Sequence, residues 1–311
     1  MSGPIFYTLP QFGLIRFSGD DAQTFLHNQL SSDVSALTPG RSTYGAYCTP
    51  KGRMLATFLL WRSDLGYFMQ LPASLRESIQ KQLSKFILRS KVKATDASGD
   101  WTLIGVGGKD AAALVQRVIG QAPKGEHEVA HTSDATVIRL PGDRFEIAAA
   151  KDKVPRMIEA IAAGSDKAAT DHWEWLDIQA GIPTILPATQ EAFVPQMVNL
   201  DLVGGVSFEK GCYPGQEIVA RMHYRGTLKQ RMYLAGIAAS ERPQPGEKLY
   251  GAGFGEQACG TIVNAAPSPQ GGYDALAVIQ IAAAKNGVHW RALDGPLLKL
   301  LPLPYAVDLD S

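Results

Sequence analysis

The feature that most constrains this chain is an internal echo. Leu14–Phe17 reads as a strand, followed by Gly19-Asp20-Asp21-Ala22 and a helix-period run through Phe25, Leu26 and Leu30. The order recurs with a strand at Trp101–Val106, then Gly108-Lys109-Asp110-Ala111 and apolar positions Leu114, Val115, Val118 and Ile119. In each Gly-x-Asp-Ala step the acidic residue stands where a helix start leaves amides free, so both predict an Asp-capped helix. After the first copy, Tyr44–Cys48, Met54–Trp61 and Tyr67–Leu71 read as strands and Ser74–Ile87 as a helix. After the second, Thr136–Leu140 and Arg144–Ala149 flank a Pro141-Gly142-Asp143 turn, and Val154–Ala163 is helical. Strand–helix–strand–strand–helix, met twice, predicts two related α+β units of the split-βαβ, ferredoxin-like kind.

From Lys229 onward the texture changes. Short apolar runs (Met232–Ile237, Lys248–Tyr250, Gly260–Asn264, Ala275–Ile281, Val288–Leu293, Leu297–Leu301) alternate with Pro- and Gly-rich turns, with no convincing helix. That spacing predicts a small closed β-barrel, and a boundary close to residue 228 divides the chain into 1–228 and 229–311.

Composition narrows the function. Hydrophobic residues make up 45% of the 311, charged residues 19%, which excludes a disordered chain. Thirty basic residues balance thirty acidic ones, so no whole-chain field draws nucleic acid. Lys81, Lys85, Arg89, Lys91 and Lys93 cluster locally, but a solvated helix face explains them as well as a nucleic-acid groove does. Apolar runs fall short of the ~20 residues that span a bilayer, and the N-terminus lacks a secretory pattern. The expectation is a cytoplasmic protein with no membrane partner and no direct nucleic-acid binding.

Among candidate sites, Gly105-Val-Gly107-Gly108 invites a dinucleotide reading, but Asp110 occupies the position that needs a small residue and would repel a pyrophosphate. His127 and His131 have metal-ligand spacing only on a helix, and their surroundings read as a loop, so no metal is expected. Three cysteines, Cys48, Cys212 and Cys259, are too few for a disulfide framework. The sharpest stretch is Lys210-Gly-Cys-Tyr-Pro-Gly-Gln-Glu217. A Tyr-Pro-Gly turn leads into a short helix over Gln216–Met222, with Cys212 just ahead of its positive end. That end and Lys210 would lower the thiol pKa, the microenvironment of a reactive cysteine, with Gln216, Glu217 and Arg221 close by. In Trp173-Glu-Trp175 the two indoles cannot share one helix face, so one belongs to the core while the other can offer a flat face to a planar ligand.

The octet resembles the Lys-Gly-Cys-Tyr-x-Gly-Gln-Glu signature of the YgfZ family, folate-binding proteins related to the T-protein (aminomethyltransferase) of the glycine cleavage system. Asn28-Gln-Leu-Ser-Ser-Asp-Val34, Tyr47-Cys-Thr-Pro-Lys-Gly-Arg53, Lys85-Phe-Ile-Leu-Arg-Ser-Lys-Val92, Ala180-Gly-Ile-Pro183, Phe193-Val-Pro-Gln-Met-Val-Asn-Leu200 and Leu303-Pro-Tyr305 resemble family segments in the same order. The resemblance implies a T-protein-like arrangement of three domains around a central cavity: two intertwined α+β units and a C-terminal β-barrel. It implies tetrahydrofolate, or a derivative, as cofactor, contacted by Trp173 and by Phe12, which replaces a family tryptophan. Phe12 keeps the aromatic face and loses the indole N–H. Tyr213 and Arg225 join them as expected cofactor contacts, with His223 and Tyr224 as neighbours.

By the same resemblance, the chain is an accessory factor for making or maintaining iron–sulfur clusters in clients such as the radical-SAM tRNA methylthiotransferase MiaB, with transient contact to cluster-assembly proteins and with Cys212 as the functional thiol. One thiolate cannot hold a cluster that takes four protein ligands, so contact with a client is the expected mode. The alternative is a folate-dependent one-carbon transferase, aminomethyltransferase- or demethylase-like, which needs a carboxylate at the folate that this sequence does not identify.

Overall fold

The computed structural model describes residues 3–226 and 228–307, apart from the side chain of Arg225. It has two compact units. Of the described residues, one comprises 3–29, 33–44 and 58–173, the other 30–32, 45–57, 174–226 and 228–307. The helices are α1 (Ala22–Gln29), α2 (Ala73–Ser84), α3 (Ala111–Ile119), α4 (Val154–Ala162), α5 (Thr170–Gln179), α6 (Gln216–Arg225) and the single turn α7 (Ile281–Ala284).

The echo is a repeat of topology. Strand Phe12–Ser18, α1, strands Ser42–Cys48, Met54–Ser63 and Gly66–Pro72, α2 and strand Lys93–Asp96 make the first copy. The second runs Trp101–Gly107, α3, Val129–His131, Ala135–Leu140, Arg144–Ala150, α4 and Asp166–Lys167. Within each copy the first strand lies beside the fourth, followed by the third and the second. The second copy also takes in the N-terminal strand Ile5–Thr8, antiparallel to Trp101–Gly107 and parallel to Asp166–Lys167. Three strands separate the helices in both copies; the short Val129–His131 strand, which carries His131, lies in a stretch that reads as loop from sequence alone.

The two-residue side-chain period sorts each strand. Ile104, Val106, Phe145, Ile147 and Ala149 join Leu114, Val115, Met157 and Ile161 of α3 and α4 in one core. The alternate positions Gly105, Arg144 and Glu146 point to the other face, where Gln70 Nε2 donates to Glu146 Oε2 at 2.9 Å. The expected Asp cap fails at α3: Asp110 adopts left-handed backbone (φ +65°) and makes no side-chain cap. Asp21 instead accepts the amide of Lys91 at 2.7 Å, tying down the loop after α2.

In the second unit six antiparallel strands run in the order Val288–Trp290, Lys248–Gly251, Gly260–Pro267, Tyr273–Gln280, Gln230–Ile237 and Leu298–Leu301. The sheet curls until its two edges meet at the bridge pair His289–Leu297. Small residues (Ala235, Ala265, Ala275, Ala277, Ala283) let opposite sides approach around Ile262, Cys259 and Trp290. Within this unit, Asp274 accepts the Trp175 indole N–H (2.7 Å) and the Gln179 amide (3.0 Å), which fixes the outer half of α5.

Candidate functional site

The cysteine loop lies in the second unit. Tyr213-Pro214-Gly215-Gln216 is a type II turn: Gly215 has φ +84° and ψ 0°, and Gln216 N–H donates to Tyr213 O at 3.1 Å. Proline presets the first corner and glycine accepts the second, so this tetrapeptide turns by its own chemistry. It delivers the chain into α6.

Three contacts then fix the loop. Lys210 is buried, and its Nζ donates to Leu30 O at 2.6 Å and Ser32 O at 3.2 Å, within the Asn28–Val34 segment. The same ammonium lies 5.0 Å from the centre of the Tyr213 ring. The Thr49–Arg53 turn closes through Gly52 N–H to Thr49 O and abuts Gly215 so closely that an added Cβ would lie 2.5 Å from Thr49 O. Gln196, from the Phe193–Leu200 segment, donates to Val219 O at 2.6 Å and holds the first turn of α6. Gln216 Nε2 reaches back to Lys210 O at 3.4 Å. Gly181 and Tyr305, from two further motif segments, meet through Tyr305 Oη donating to Gly181 O at 2.8 Å.

On this frame Cys212 is exposed, whereas Cys48 and Cys259 are buried. Burial pushes the Cys48 thiol up to about 12 and raises Cys259 as well. Tyr213 is buried too; its phenol is held well above its usual value by burial, reinforced by the nearby Cys48. Glu217 and Arg221 are exposed on α6. Lys210, expected to lower the thiol pKa, donates to backbone carbonyls in this structure. Phe208 stacks on His223 with centroids 3.8 Å apart, and Tyr224 meets both rings edge-on.

The residues expected at the cofactor fall in different settings. Phe12 is half-buried on a cleft of about 440 Å³ in the first unit, shared with Trp101 and Arg76. Trp173 is the core member of the tryptophan pair, only 1% exposed. Its ring packs so closely on the Gly105 backbone that a Cβ there would lie 2.5 Å from it, and the Arg144 guanidinium sits 4.8 Å from its centroid. Tyr7 packs beside it and donates to, or accepts from, His172 Nδ1 at 2.7 Å. The Arg225 side chain lies outside the described residues. Among the described residues, no three His, Cys, Asp or Glu side chains are grouped to hold a metal ion.

The chain is 33% identical over 307 residues to the tRNA-modifying protein YgfZ of Sodalis glossinidius, covering 96% of this chain and 92% of that protein. The chain belongs to the YgfZ family. The Klebsiella pneumoniae YgfZ is 32% identical over 305 residues, covering 97% of this chain and 93% of its own. A GCVT N-terminal domain model matches residues 7–138. The glycine cleavage system aminomethyltransferase T of Bartonella henselae shares the fold, with a TM-score of 0.80 at 17% identity over 97% of this chain and 86% of its own. The mixed α/β architecture is therefore that of aminomethyltransferase T. No helix among the described residues is long and apolar enough to cross a membrane.

Sequence reasoning on this YgfZ-family chain missed Arg144 and Glu146. Their signal was two charges at alternate positions of an otherwise apolar strand, Arg144-Phe-Glu146-Ile. It also missed that Leu30 and Ser32 contribute backbone carbonyls, for which a sequence carries no signal.

Proposed function

We propose that this chain is a tetrahydrofolate-binding accessory factor for the synthesis or repair of iron–sulfur clusters in client enzymes such as the radical-SAM tRNA methylthiotransferase, acting in the cytoplasm through the Cys212 thiol. The observation that carries this reading is an exposed thiol on a loop braced at three points, while the other two thiols are buried. A rigid, accessible thiolate is a soft ligand and nucleophile that can meet a client's sulfur, iron or oxidised sulfur without first ordering its own loop. Cluster ligation normally takes four side chains, so this thiol serves as a transient contact.

The folate part of the proposal draws on family membership and on the Phe12 cleft, whose volume falls within the ~300–1,000 Å³ usual for small-molecule sites. Phe12 and Trp101 offer aromatic surface for a pteridine; Arg76 is ion-paired with Asp96 of the same cleft at 2.9 Å and would have to exchange that partner to meet a ligand carboxylate. Trp173 fits the same cofactor only if Arg144 leaves its ring. Tetrahydrofolate would supply one-carbon or redox chemistry when bound; the chain's own part is to hold it and to present the thiol. We take 1–228 as the folate-binding region, built from two ferredoxin-like repeats, and 229–311 as a separate β-barrel module.

The test is methylthio-tRNA content in a strain lacking this gene, complemented with wild type, Cys212→Ala or Phe12→Ala. Wild type restores the modification, and both variants fail at normal protein level. Unchanged methylthiolation in the deletion strain would overturn the reading and favour a one-carbon transferase.

A further inference from the structure

The most exposed large apolar side chain among the described residues is Leu88, 87% accessible, with Phe86 beside it at 51%. Both lie in the tight turns that end α2, which close through Phe86 N–H to Leu83 O, Ile87 N–H to Ser84 O and Ser90 N–H to Ile87 O. Leu88 holds a left-handed backbone (φ +43°), a conformation that glycine or asparagine takes at lower cost. The loop is anchored three residues on, where the Lys91 amide donates to Asp21. The leucine is thus displayed on ordered backbone.

Cations surround it in two classes. Lys81 is paired with Glu77 at 2.6 Å and Lys91 with Asp20 at 3.5 Å. Lys85, Arg89 and Lys93 have no carboxylate in ion-pair range among the described residues. The exposed face of α2 beside the tip carries a shallow groove of about 600 Å³ lined by Arg76, Glu77, Gln80, Lys81, Ser84 and Lys85.

We propose that this tip is a docking surface for a protein partner with an apolar pocket bordered by carboxylates: Leu88 and Phe86 enter the pocket, and Lys85, Arg89 and Lys93 meet the rim. An apolar anchor ringed by charge is the usual anatomy of a protein-binding hot spot. The pattern of signs selects this occupant over the two other polyanions. Asp20 and Glu77 stand exposed among the cations, at 83% and 68% of their side-chain surface. A uniformly negative phosphate surface, of RNA or of lipid, repels both, whereas a protein rim can place its carboxylates opposite the three unpaired cations only. The proposal rests on the accessory-factor reading, which requires a client to dock, and it is a site apart from the thiol.

The experiment titrates the purified full chain against three probes: purified tRNA methylthiotransferase, total tRNA, and phosphatidylglycerol vesicles. Wild type, Leu88→Asp, Lys85→Glu/Arg89→Glu and the control Lys151→Glu are compared, with thermal unfolding to confirm that each is folded. The expected result is binding to the methylthiotransferase that both tip variants weaken by about tenfold or more and the control leaves intact. Absence of binding to that enzyme, binding indifferent to the tip, or tip-dependent binding only to tRNA or vesicles overturns the proposal. Failure of the accessory reading is read separately, from methylthio-tRNA in the deletion strain.

Discussion

Lys210 donates through Nζ to the carbonyl oxygen of Leu30 at 2.6 Å, across 180 residues of chain, and so locks the cysteine loop onto the Asn28–Val34 segment. The buried ammonium therefore anchors the loop. Lys210→Met keeps the stem's bulk but leaves the Leu30 and Ser32 carbonyls without their donor. Urea unfolding should show a loss of about 2–4 kcal/mol. A loss below about 0.5 kcal/mol would mean that the buried ammonium is not what holds the loop.

The three thiols should separate by reactivity. Cys212 is exposed, and Cys48 is buried with its thiol pushed up to about 12. Titration with a chromogenic disulfide near neutral pH should label one thiol in the native protein and all three after denaturation. Cys212→Ala should remove the native signal entirely. Rapid native labelling of two thiols would show that Cys48 or Cys259 is reachable.

Gly215 is the point where two motif segments touch. A methyl group there would meet Thr49 O at 2.5 Å and the Gly52 backbone at 2.6 Å, and φ is +84°. Gly215→Ala therefore combines a backbone penalty with a backbone clash that no rotamer relieves. A cost of about 2 kcal/mol or more is expected in denaturant melts, together with faster proteolysis of the loop. A nearly neutral effect would show that the turn at Thr49–Arg53 stands off from the loop.

The strands and helices were legible because apolar runs and turn residues act locally: Met54–Trp61 became Met54–Ser63, and Gln216–Met222 became Gln216–Arg225. The octet's turn was legible for the same reason, since Pro214 and Gly215 need no distant partner. What escaped was set by contacts remote in sequence. Lys210 finds carbonyls on another segment. Trp173 and Trp175 are alike in sequence; they differ because Gly105 leaves room for one ring and Asp274 accepts the N–H of the other.

Arg144 covers Trp173, with its guanidinium 4.8 Å from the ring centroid and its Nε donating to Pro141 O at 3.0 Å. Arg144→Ala should uncover the indole. Acrylamide quenching of tryptophan emission should rise in this variant, and it should not rise in Arg144→Ala/Trp173→Phe. A stability loss of about 1–3 kcal/mol should accompany it, from the stacking and hydrogen bond together. If a pteridine uses Trp173, the single variant should also bind 5-formyltetrahydrofolate with altered affinity. Unchanged quenching would mean that Arg144 does not shield the ring.

His127 makes stability depend on pH. Its ring is hydrogen-bonded to Ser42 Oγ at 3.0 Å, meets Tyr44 edge-on, and has a pKa lowered to about 4 by burial and then by Arg41. The unfolded chain takes up this proton near the ordinary histidine value of about 6.5, whereas the native chain resists until about 4. Between those values the unfolded state binds more protons, so stability is fully present above the upper one and falls as pH drops through the window, by roughly 3 kcal/mol in all. His127→Asn tolerates the left-handed backbone at φ +61° and removes the titration. Urea midpoints at about pH 7 and about pH 4.5 should fall more steeply for wild type than for the variant. Equal slopes would show that another group sets the acid limit of this fold.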